Sequence, residues 1–422
     1  MKINKKNSLL WVLPFLLFAS CSKDETPNID DNFLNYQISE VPVTKDIPVG
    51  VFYYNTGSTG ITQAIYDRLL EIPDAVSGKV GPYIRPTLGK YGSTTNATSV
   101  GIMQQHIDWG IQGGIDFFIL PGLTDITSDV YPNNINTDNL RFINLFIGEI
   151  GSDGKTQDIT TGTKTNLKSI KYALSINLGN LSSGLSNTVL IENVAPTSIK
   201  GSLVTRVQRF NDTFKRIADY FSDPTYYTVD GKPLVVLINP HQIYARSSDS
   251  LYTNMRKYVK DYCGKDMYLV AQQPNWSPPA RYEYFYINGK VDAITHVNML
   301  NQSSYYDRSY WYPQLIDQNW KYSKDYFMAN WNIDYIPTAS PSFNYYPNAG
   351  NNYNYPIVPK SPDMFRKFCN VAKMNLGKNR IVFIDSFNQW SQDTSVEPTD
   401  SIYGNGYGTT YLNIIKEQFK VK

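Results

Sequence analysis

The chain has 422 residues, of which 41% are hydrophobic and 14% aromatic, so it can bury one large core or two ordinary ones. Its 39 basic and 37 acidic residues nearly cancel, and no basic run stands out. The charge balance argues against a nucleic-acid partner, because no positive field is available to hold a polyanion.

The amino terminus has the layout of a bacterial secretion signal. Residues 1–20, MKINKKNSLLWVLPFLLFAS, place three lysines before an apolar run at 9–18 that is too short to span a bilayer. Cys21 follows directly, and the segment resembles a lipoprotein signal, with cleavage before Cys21 and lipid on its sulfur. An ordinary cleaved signal with an incidental cysteine is the alternative.

Localisation and domain limits follow from this layout. The acidic residues after Cys21 resemble the export tag of surface lipoproteins, so we expect an outer-membrane lipoprotein that faces the periplasm or the cell surface. Residues 21–45 are polar and without periodicity, which predicts a flexible tether before a single domain at 46–422. Cys263 and Cys369 are predicted to be free thiols, with a disulfide between them as the less common outcome.

The rest of the chain alternates between strand and helix patterns. Eight apolar or alternating runs that end in turn formers predict strands at 49–55, 114–121, 171–178, 232–240, 267–274, 293–299, 335–343 and 380–388. Helical spacing appears at 98–112, 203–221, 251–263 and 363–375. This alternation favours an α/β fold of the (β/α)8 TIM barrel type over an open doubly wound sheet. The connections 122–170 and 300–334 are predicted to be long loops.

In such barrels the functional groups stand at the carboxyl ends of the strands, which here carry mainly amides, imidazoles and aromatic rings. Amides pair with sugar hydroxyls and aromatic rings stack on the apolar face of a sugar, so a carbohydrate ligand is favoured. For any single aromatic residue, packing is the more common role. The candidate sugar-binding residues are Tyr53, Tyr54, His241, Asn275, Trp276, His296, Asn298, Asn388 and Trp390.

Other chemistries have little support in the sequence. The three histidines, His106, His241 and His296, do not stand at metal-ligand spacing, so neither a metal nor a cofactor is predicted. No Gly-x-Ser-x-Gly turn is present, and neither Cys263 nor Cys369 stands at a predicted strand end. A serine or cysteine nucleophile is therefore not expected.

Five stretches, in order along the chain, resemble glycoside hydrolase family 99 and its relatives. They are RPTLGKYGSTTNATSVGIMQQHIDWGIQGGIDFFIL (85–120), DGKPLVVLINP (230–240), IPTASPSF (336–343), FNQWSQDTSVEP (387–398) and YGNGYGTTYL (403–412). The resemblance implies a (β/α)8 barrel that acts on α-mannosides or related glycans, with retention of configuration and without a metal. It also makes Tyr91, in the segment that resembles the family's Pro-x-Leu-Gly-x-Tyr, a candidate sugar-binding residue.

The stretch at 387–398 departs from the family pattern at two positions. The family motif reads Asn-Glu-Trp-His-Glu-Gly, in which the first glutamate assists attack by the sugar's own 2-hydroxyl and the second protonates the leaving oxygen. Asn388 and Trp390 match this motif, whereas Gln389 and Gln392 occupy the glutamate positions. A glutamine amide keeps the shape of the acid but cannot shuttle protons near neutral pH, and general acid–base help is worth about 10²–10⁴-fold per group.

Two functional hypotheses follow. The first is a lipid-anchored protein that binds a mannan-like or other polysaccharide after losing its acid/base pair. The second is an active, diverged glycosidase that uses Asp393 and Glu397 as its carboxylate pair. For Glu397 a loop-anchoring or hydroxyl-binding role is the simpler expectation, and Asp385 is expected to lie within the body of the last strand. A purely structural surface protein would leave Asn388 and Trp390 unexplained.

Overall fold

The computed structural model describes residues 34–54, 61–74, 76–91, 100–122, 138–148, 164–199, 201–274, 282–287, 290–300, 311–350 and 357–421. The predicted signal segment and Cys21 lie outside these residues. Residues from Ile38 onward form one compact unit. Within it, the Val41 N–H donates to Oδ1 of Asn370 at 2.8 Å and Lys373 donates to the Val41 carbonyl. The last residues of the predicted tether, 38–45, therefore belong to the packed unit.

Fourteen strands lie within the described residues. They are β1 (Val49–Phe52), β2 (Phe117–Pro121), β3 (Lys171–Asn177), β4 (Thr197–Ile199), β5 (Ser202–Val204), β6 (Thr228–Val229), β7 (Lys232–Ile238), β8 (Tyr268–Gln273), β9 (Ala293–His296), β10 (Asp334–Tyr335), β11 (Thr338–Ala339), β12 (Phe343–Asn344), β13 (Ile357–Val358) and β14 (Val382–Ile384).

The same residues contain nine α-helices. They are α1 (Gln63–Leu70), α2 (Val100–Gln112), α3 (Asp138–Ile147), α4 (Arg206–Ile217), α5 (Ser248–Cys263), α6 (Tyr312–Trp331), α7 (Tyr346–Ala349), α8 (Pro362–Met374) and α9 (Thr410–Phe419). The helices α1, α4, α5 and α8 begin after a Thr or Ser whose hydroxyl accepts a backbone N–H of the first turn. Such caps satisfy donors that the helix itself leaves unpaired, which is why these helices begin where they do.

The main sheet is parallel and curled, with helices packed on one face. Its strand order is β10-β9-β8-β7-β3-β2-β1-β14-β11, and β6 pairs antiparallel with β7. The ends of this order, β10 and β11, are separated in the chain only by Ile336 and Pro337. The predicted α/β class with a parallel sheet is therefore confirmed, and every predicted strand overlaps an observed one.

Strand alternation divides the core into two layers. The side chains of the helices pack in one layer with the outward-facing strand residues, such as Val51 and Phe118. The inward-facing residues form a second cluster, which includes Phe52, Phe117 and Phe383. Consecutive residues on one strand therefore belong to different layers, and this decides which side chains can meet at the strand ends.

The two long connections predicted to be loops each contain a helix. α3 lies within 122–170, and α6 occupies most of 300–334. The buried stripe of α6 includes the polar residues Asp317 and Ser323, and Asn375 donates to Asp317 at 2.7 Å. Polar residues that find buried partners weaken the apolar period by which a helix is recognised, so the prediction of a loop was wrong there.

Cys263 and Cys369 are free thiols, as predicted. Burial raises the pKa of the Cys369 thiol, which makes it an unreactive core residue. Across the described part of the chain, no helix combines the length and the hydropathy that a membrane crossing requires.

Candidate functional site

The carboxyl ends of the parallel strands meet at one edge of the sheet, and the inward-facing side chains there are mostly polar. The polar ones are Tyr54, Ser175, Asn177, Gln272, Thr295, Thr338 and Asp385. The hydroxyls of Thr295 and Thr338 lie 2.6 Å apart. Among the described residues, this edge therefore offers hydroxyl and amide groups together with one carboxyl, that of Asp385.

Asp385 lies just beyond the end of β14 rather than within the body of the strand, so that expectation was wrong. Its Oδ1 accepts from the Tyr54 hydroxyl at 3.1 Å, and the Asn298 side chain also hydrogen-bonds the carboxyl. Asn298 Nδ2 donates in turn to Oγ of Ser340 at 3.1 Å. We call Tyr54, Asn298, Ser340 and Asp385 the Asp385 site.

Electrostatics set the protonation of the Asp385 site. Burial raises the pKa of Asp385 to about 6, against the smaller lowering effect of the hydrogen bonds from Tyr54 and Asn298. The pKa of Tyr54 is raised by its burial and then by the neighbouring Asp385 carboxyl, so the phenol remains a donor. Near neutral pH the site thus presents a hydrogen-bond acceptor that gains a proton in mildly acidic solution.

Asn388 ties the last loop to β1. Its Oδ1 accepts from the Tyr54 N–H at 2.8 Å, and its Nδ2 donates to the Tyr54 carbonyl at 3.0 Å. Asn388 is fully buried, and both polar ends of its amide are used in this pair. The contact fixes the backbone of Tyr54, and so the position of the hydroxyl that reaches Asp385.

Glu397 lies at the centre of a second, fully buried cluster on the outward side of the sheet. Its Oε2 accepts from the Tyr91 hydroxyl at 2.7 Å and from Nε1 of Trp390 at 3.0 Å. Its Oε1 lies 3.2 Å from Nε2 of His106, whose Nδ1 is 2.7 Å from the Tyr53 hydroxyl. These five residues, Tyr53, Tyr91, His106, Trp390 and Glu397, are the Glu397 cluster.

The Glu397 cluster is a packing and hydrogen-bonding unit of the core. Tyr53 stacks on Phe142 and Phe387 with ring centroids 5.6 and 5.9 Å apart. Burial, and then the charge of Glu397, raises the pKa of Tyr53 and of Tyr91 well above the ordinary range. The predicted sugar-binding residues Tyr53, Tyr91 and Trp390 are thus buried, and their polar atoms bond to one another and to protein groups.

Asp393 is also buried, but it faces a different partner. Its Oδ1 lies 2.9 Å from Nζ of Lys360, which also donates to the Ser395 carbonyl at 2.8 Å. Burial raises the pKa of Asp393, and the nearby Lys360 opposes this with a smaller effect. Burial likewise lowers the pKa of Lys360, and Asp393 opposes this with a smaller effect. Asp393 and Glu397 therefore belong to separate buried sets.

The two glutamines follow Asp385 in the same loop. The Gln389 N–H donates to Oγ of Ser386 at 2.9 Å, and the side chain is half-buried. Gln392 closes the short helical turn Trp390–Gln392 and is also half-buried. The tryptophan between them points into the Glu397 cluster, so the loop presents its two amides next to an anchored aromatic residue.

The remaining predicted residues are spread over the strand ends. His296 is fully buried, its Nδ1 lies 2.6 Å from the Tyr335 hydroxyl, and burial lowers its pKa to about 3, so the ring is neutral. His241 lies in the turn after β7 with its ring centroid 5.8 Å from that of Tyr282. Asn275 and Trp276 lie outside the described residues.

Within the described residues, no group of three or more His, Cys, Asp or Glu side chains is arranged to hold a metal ion. Among the described residues, Asp393 pairs with Lys360, whereas the Asp385 carboxyl is hydrogen-bonded by Tyr54 and Asn298. The arrangement is therefore suited to hydrogen bonding and to proton exchange at Asp385.

Two residues of the site were missed from the sequence. The predicted strand ran to Asn388, whereas β14 ends at Ile384, so Asp385 was placed in the strand instead of at the edge. His106 stands in the buried stripe of α2, beside Met103 and Ile107. A histidine in an apolar stripe indicates a buried partner, and that signal was present.

The fold is that of glycoside-hydrolase-like α/β proteins. A solved structure described as a glycoside hydrolase-like protein is 28% identical, with a TM-score of 0.70, and the match covers 93% of this chain and 99% of that chain. Two structures of the GH99 endo-alpha-mannosidase from Bacteroides thetaiotaomicron, one in complex with bis-tris-propane, have TM-scores of 0.54 and 0.52. Each is 16% identical, and each match covers 89% of this chain and 97% of the enzyme.

A family model described as Glycosyltransferase WbsX matches residues 204–415, half of the chain. The chain belongs to this family. The resemblance to glycoside hydrolase family 99 is confirmed for the fold alone, because a sequence identity of 16% does not show a shared activity or shared site residues. No curated protein matches the chain in sequence.

The raised pKa of Asp385 predicts a pH dependence of folding stability. The folded state holds this proton up to about pH 6, whereas an unfolded aspartate loses it near 3.9. Stability should therefore fall as pH rises from about 4 to 6, by roughly 2–3 kcal/mol. In Asp385→Asn this component should be absent, as measured by urea unfolding between pH 4.5 and 7.5. Asp261→Asn, at an exposed position, is the control. Parallel curves for wild type and Asp385→Asn would contradict the assignment.

Removing the carboxylate of Glu397 should destabilise the fold strongly. Glu397→Ala leaves the Tyr91 hydroxyl buried without its acceptor and the Trp390 N–H with the Tyr91 oxygen, 3.2 Å away, in place of the carboxylate, at a cost of about 3–5 kcal/mol in the free energy of unfolding. Glu397→Gln keeps an acceptor oxygen, so its free energy of unfolding should lie between those of the wild type and Glu397→Ala. Glu417→Ala removes an exposed partner of Arg366 and should cost less than about 1 kcal/mol. Equal losses for Glu397→Ala and Glu417→Ala would show that the cluster is not structural.

Proposed function

We propose that this protein binds a mannan-like or other oligosaccharide or polysaccharide at the Asp385 site, and that it has lost the acid/base pair for glycoside hydrolysis. The observation that carries the proposal is the chemistry of the strand edge. The Tyr54 hydroxyl and the Asn298 amide hydrogen-bond the Asp385 carboxyl, and Ser340 lies beside Asn298. Hydroxyl, amide and carboxyl groups together can donate to and accept from sugar hydroxyls.

The state of the nearby carboxylates supports binding over cleavage. Hydrolysis by two carboxylates requires both to face the scissile bond from a cleft, about 5–10 Å apart. Asp393 is committed to Lys360, and Glu397 to Tyr91 and Trp390, with both side chains buried. Glu397 would have to leave its buried donors to act, so the hypothesis of an active glycosidase with this pair loses support.

The descriptions of related proteins agree on the ligand class but differ on the reaction. The family description names glycosyl transfer, and the solved structures are described as a glycoside hydrolase-like protein and an endo-alpha-mannosidase. Carbohydrate is common to all three. The proposal therefore commits to carbohydrate as the ligand and to mannan as the first ligand to test.

We also propose that the curled sheet closes into a complete (β/α)8 barrel. Residues 334–339 supply one interrupted strand that pairs on both sides. Ile336 donates to the Ile294 carbonyl at 2.9 Å, and Phe383 donates to the Pro337 carbonyl at 2.9 Å. These bonds support closure between β9 and β14, and an experimental structure of the mature chain would decide it.

Binding without cleavage is the expected behaviour of the purified mature chain. Yeast mannan should retard the protein in affinity electrophoresis, with no reducing ends released on long incubation. Asp385→Asn combined with Tyr54→Phe removes an acceptor and a donor of the site and should weaken retardation by about tenfold or more. Sustained release of product, abolished by Asp393→Ala or Glu397→Ala in a folded protein, would overturn the proposal.

The reverse substitutions test whether the glutamines account for the missing activity. Gln389→Glu with Gln392→Glu restores the two carboxyl groups of the family motif. Turnover of a mannoside should then rise above wild type, since each acid or base contributes about 10²–10⁴-fold. The double Gln→Asn variant at the same positions is the matched control and should stay inactive. No gain with intact mannan binding would contradict the view that only the acids were lost.

We propose, from the sequence of the amino terminus, that Cys21 carries the lipid that anchors the protein in the outer membrane. Metabolic labelling with a palmitate analogue should mark the full-length chain and place it in the membrane fraction. Cys21→Ala should lose both the label and the membrane association, whereas Cys263→Ala should keep both. Labelling that survives Cys21→Ala would exclude this anchor.

A further inference from the structure

A cavity separate from the Asp385 site lies between the loops that follow β1, β11 and β14. Its volume is about 590 Å³, within the range of small-molecule sites. None of the four residues of the Asp385 site lines it. The walls include Val358, Pro359 and Pro362 on one side and Asn405, Tyr407 and Thr410 on the other.

The polar centre of this cavity is the pair of Lys360 and Asp393. Their side chains are only 9% and 4% exposed, yet both line the cavity. The Lys360 ammonium lies 4.9 and 5.5 Å from the ring centroids of Tyr407 and Tyr411. Burying two charges costs solvation free energy that the pair regains only when its remaining hydrogen-bonding groups find partners.

Both members of the pair have hydrogen-bonding capacity left over. An ammonium has three N–H donors, and among the described residues Asp393 and the Ser395 carbonyl account for two of them. A carboxylate accepts about four hydrogen bonds, and within the same residues Lys360 is the partner recorded for Asp393. The cavity thus contains a donor and an acceptor side by side, both held in place by burial.

The charge of the lining selects the kind of ligand. Lys360 and Asp393 are the only ionisable side chains on the described walls apart from the tyrosines, and their charges cancel. An anion would meet the carboxylate of Asp393 and a cation the ammonium of Lys360, so a neutral ligand is favoured. Adjacent hydroxyls, one accepting and one donating, match this pair, and the valine and proline walls match the apolar edge of a ring.

We infer that this cavity is a second binding site, for a neutral sugar unit bound through adjacent hydroxyls by Lys360 and Asp393. It is about large enough for one or two sugar rings. Asp393 thus has a role in recognition in place of the catalytic role considered from the sequence. The inference does not depend on what the Asp385 site binds, because the two sites share no residue.

The test compares binding of three neutral probes, methyl α-D-mannoside, methyl α-D-glucoside and methyl β-D-galactoside, by ligand-observed NMR titration of the mature chain up to about 50 mM. The double variant Lys360→Met, Asp393→Asn removes both charges together, and Asn tolerates the left-handed backbone of residue 393, whose φ is 53°. At least one probe should bind the wild type and bind this variant about tenfold or more weakly. The same loss should appear when the double variant is made in an Asp385→Asn, Tyr54→Phe background, in which the Asp385 site is disabled, and this separates the two sites.

Two further variants keep the test decisive. Lys257→Met with Asp261→Asn makes the same chemical change at an exposed ion pair on α5 and should bind like the wild type. Pro359→Trp fills the cavity from its exposed rim without touching the buried pair, and should block binding even if the double variant fails to fold. Absence of binding by all three probes, unchanged binding in Pro359→Trp, or binding of glucuronate or sulfate about tenfold tighter than any probe would each overturn the inference.

Discussion

The candidate site depends on the hydrogen bonds that the buried carboxyl group of Glu397 accepts. A buried carboxyl is stable only when it is hydrogen-bonded, and Glu397 accepts hydrogen bonds from Tyr91 and Trp390, with Nε2 of His106 3.2 Å from its Oε1. Tyr91 comes from the loop after β1, Trp390 from the loop after β14, and His106 from α2. The carboxylate therefore joins three segments that are distant in sequence, and it holds the loop after β14 in one conformation.

The Glu397 cluster and the Asp385 site lie on opposite sides of the same strand ends. Tyr53 faces outward to His106, whereas its neighbour Tyr54 faces inward to Asp385. Asn388 binds the backbone of Tyr54 and so couples the two sides. Rigidity on the outward side thus orients the hydrogen-bonding groups on the inward side before any ligand arrives, which lowers the entropy that binding has to overcome.

A fold shared with glycoside hydrolases does not carry their chemistry with it, because function resides in the groups placed at the strand ends. In this chain Trp390 and Asn388 hold the loop after β14 through buried hydrogen bonds, and Gln389 and Gln392 stand on either side of the tryptophan. The nearby carboxylates divide into a structural one at Glu397, a paired one at Asp393 and one at Asp385 that exchanges a proton near pH 6. This division is compatible with recognition of hydroxyl-rich ligands at two places.

The sequence by itself determined where eight of the strands lie along the chain, the parallel α/β class and the presence of two glutamines beside Trp390. Apolar runs with turn formers and a short local motif carry that information, since they depend on residues close together in the chain. Only the tertiary structure decided that α6 is a helix, that Asp385 stands at the edge, and that Glu397 and Asp393 have separate partners. Those outcomes rest on contacts such as that of Tyr91 with Glu397, 306 residues apart, and no local pattern encodes which buried polar groups will meet.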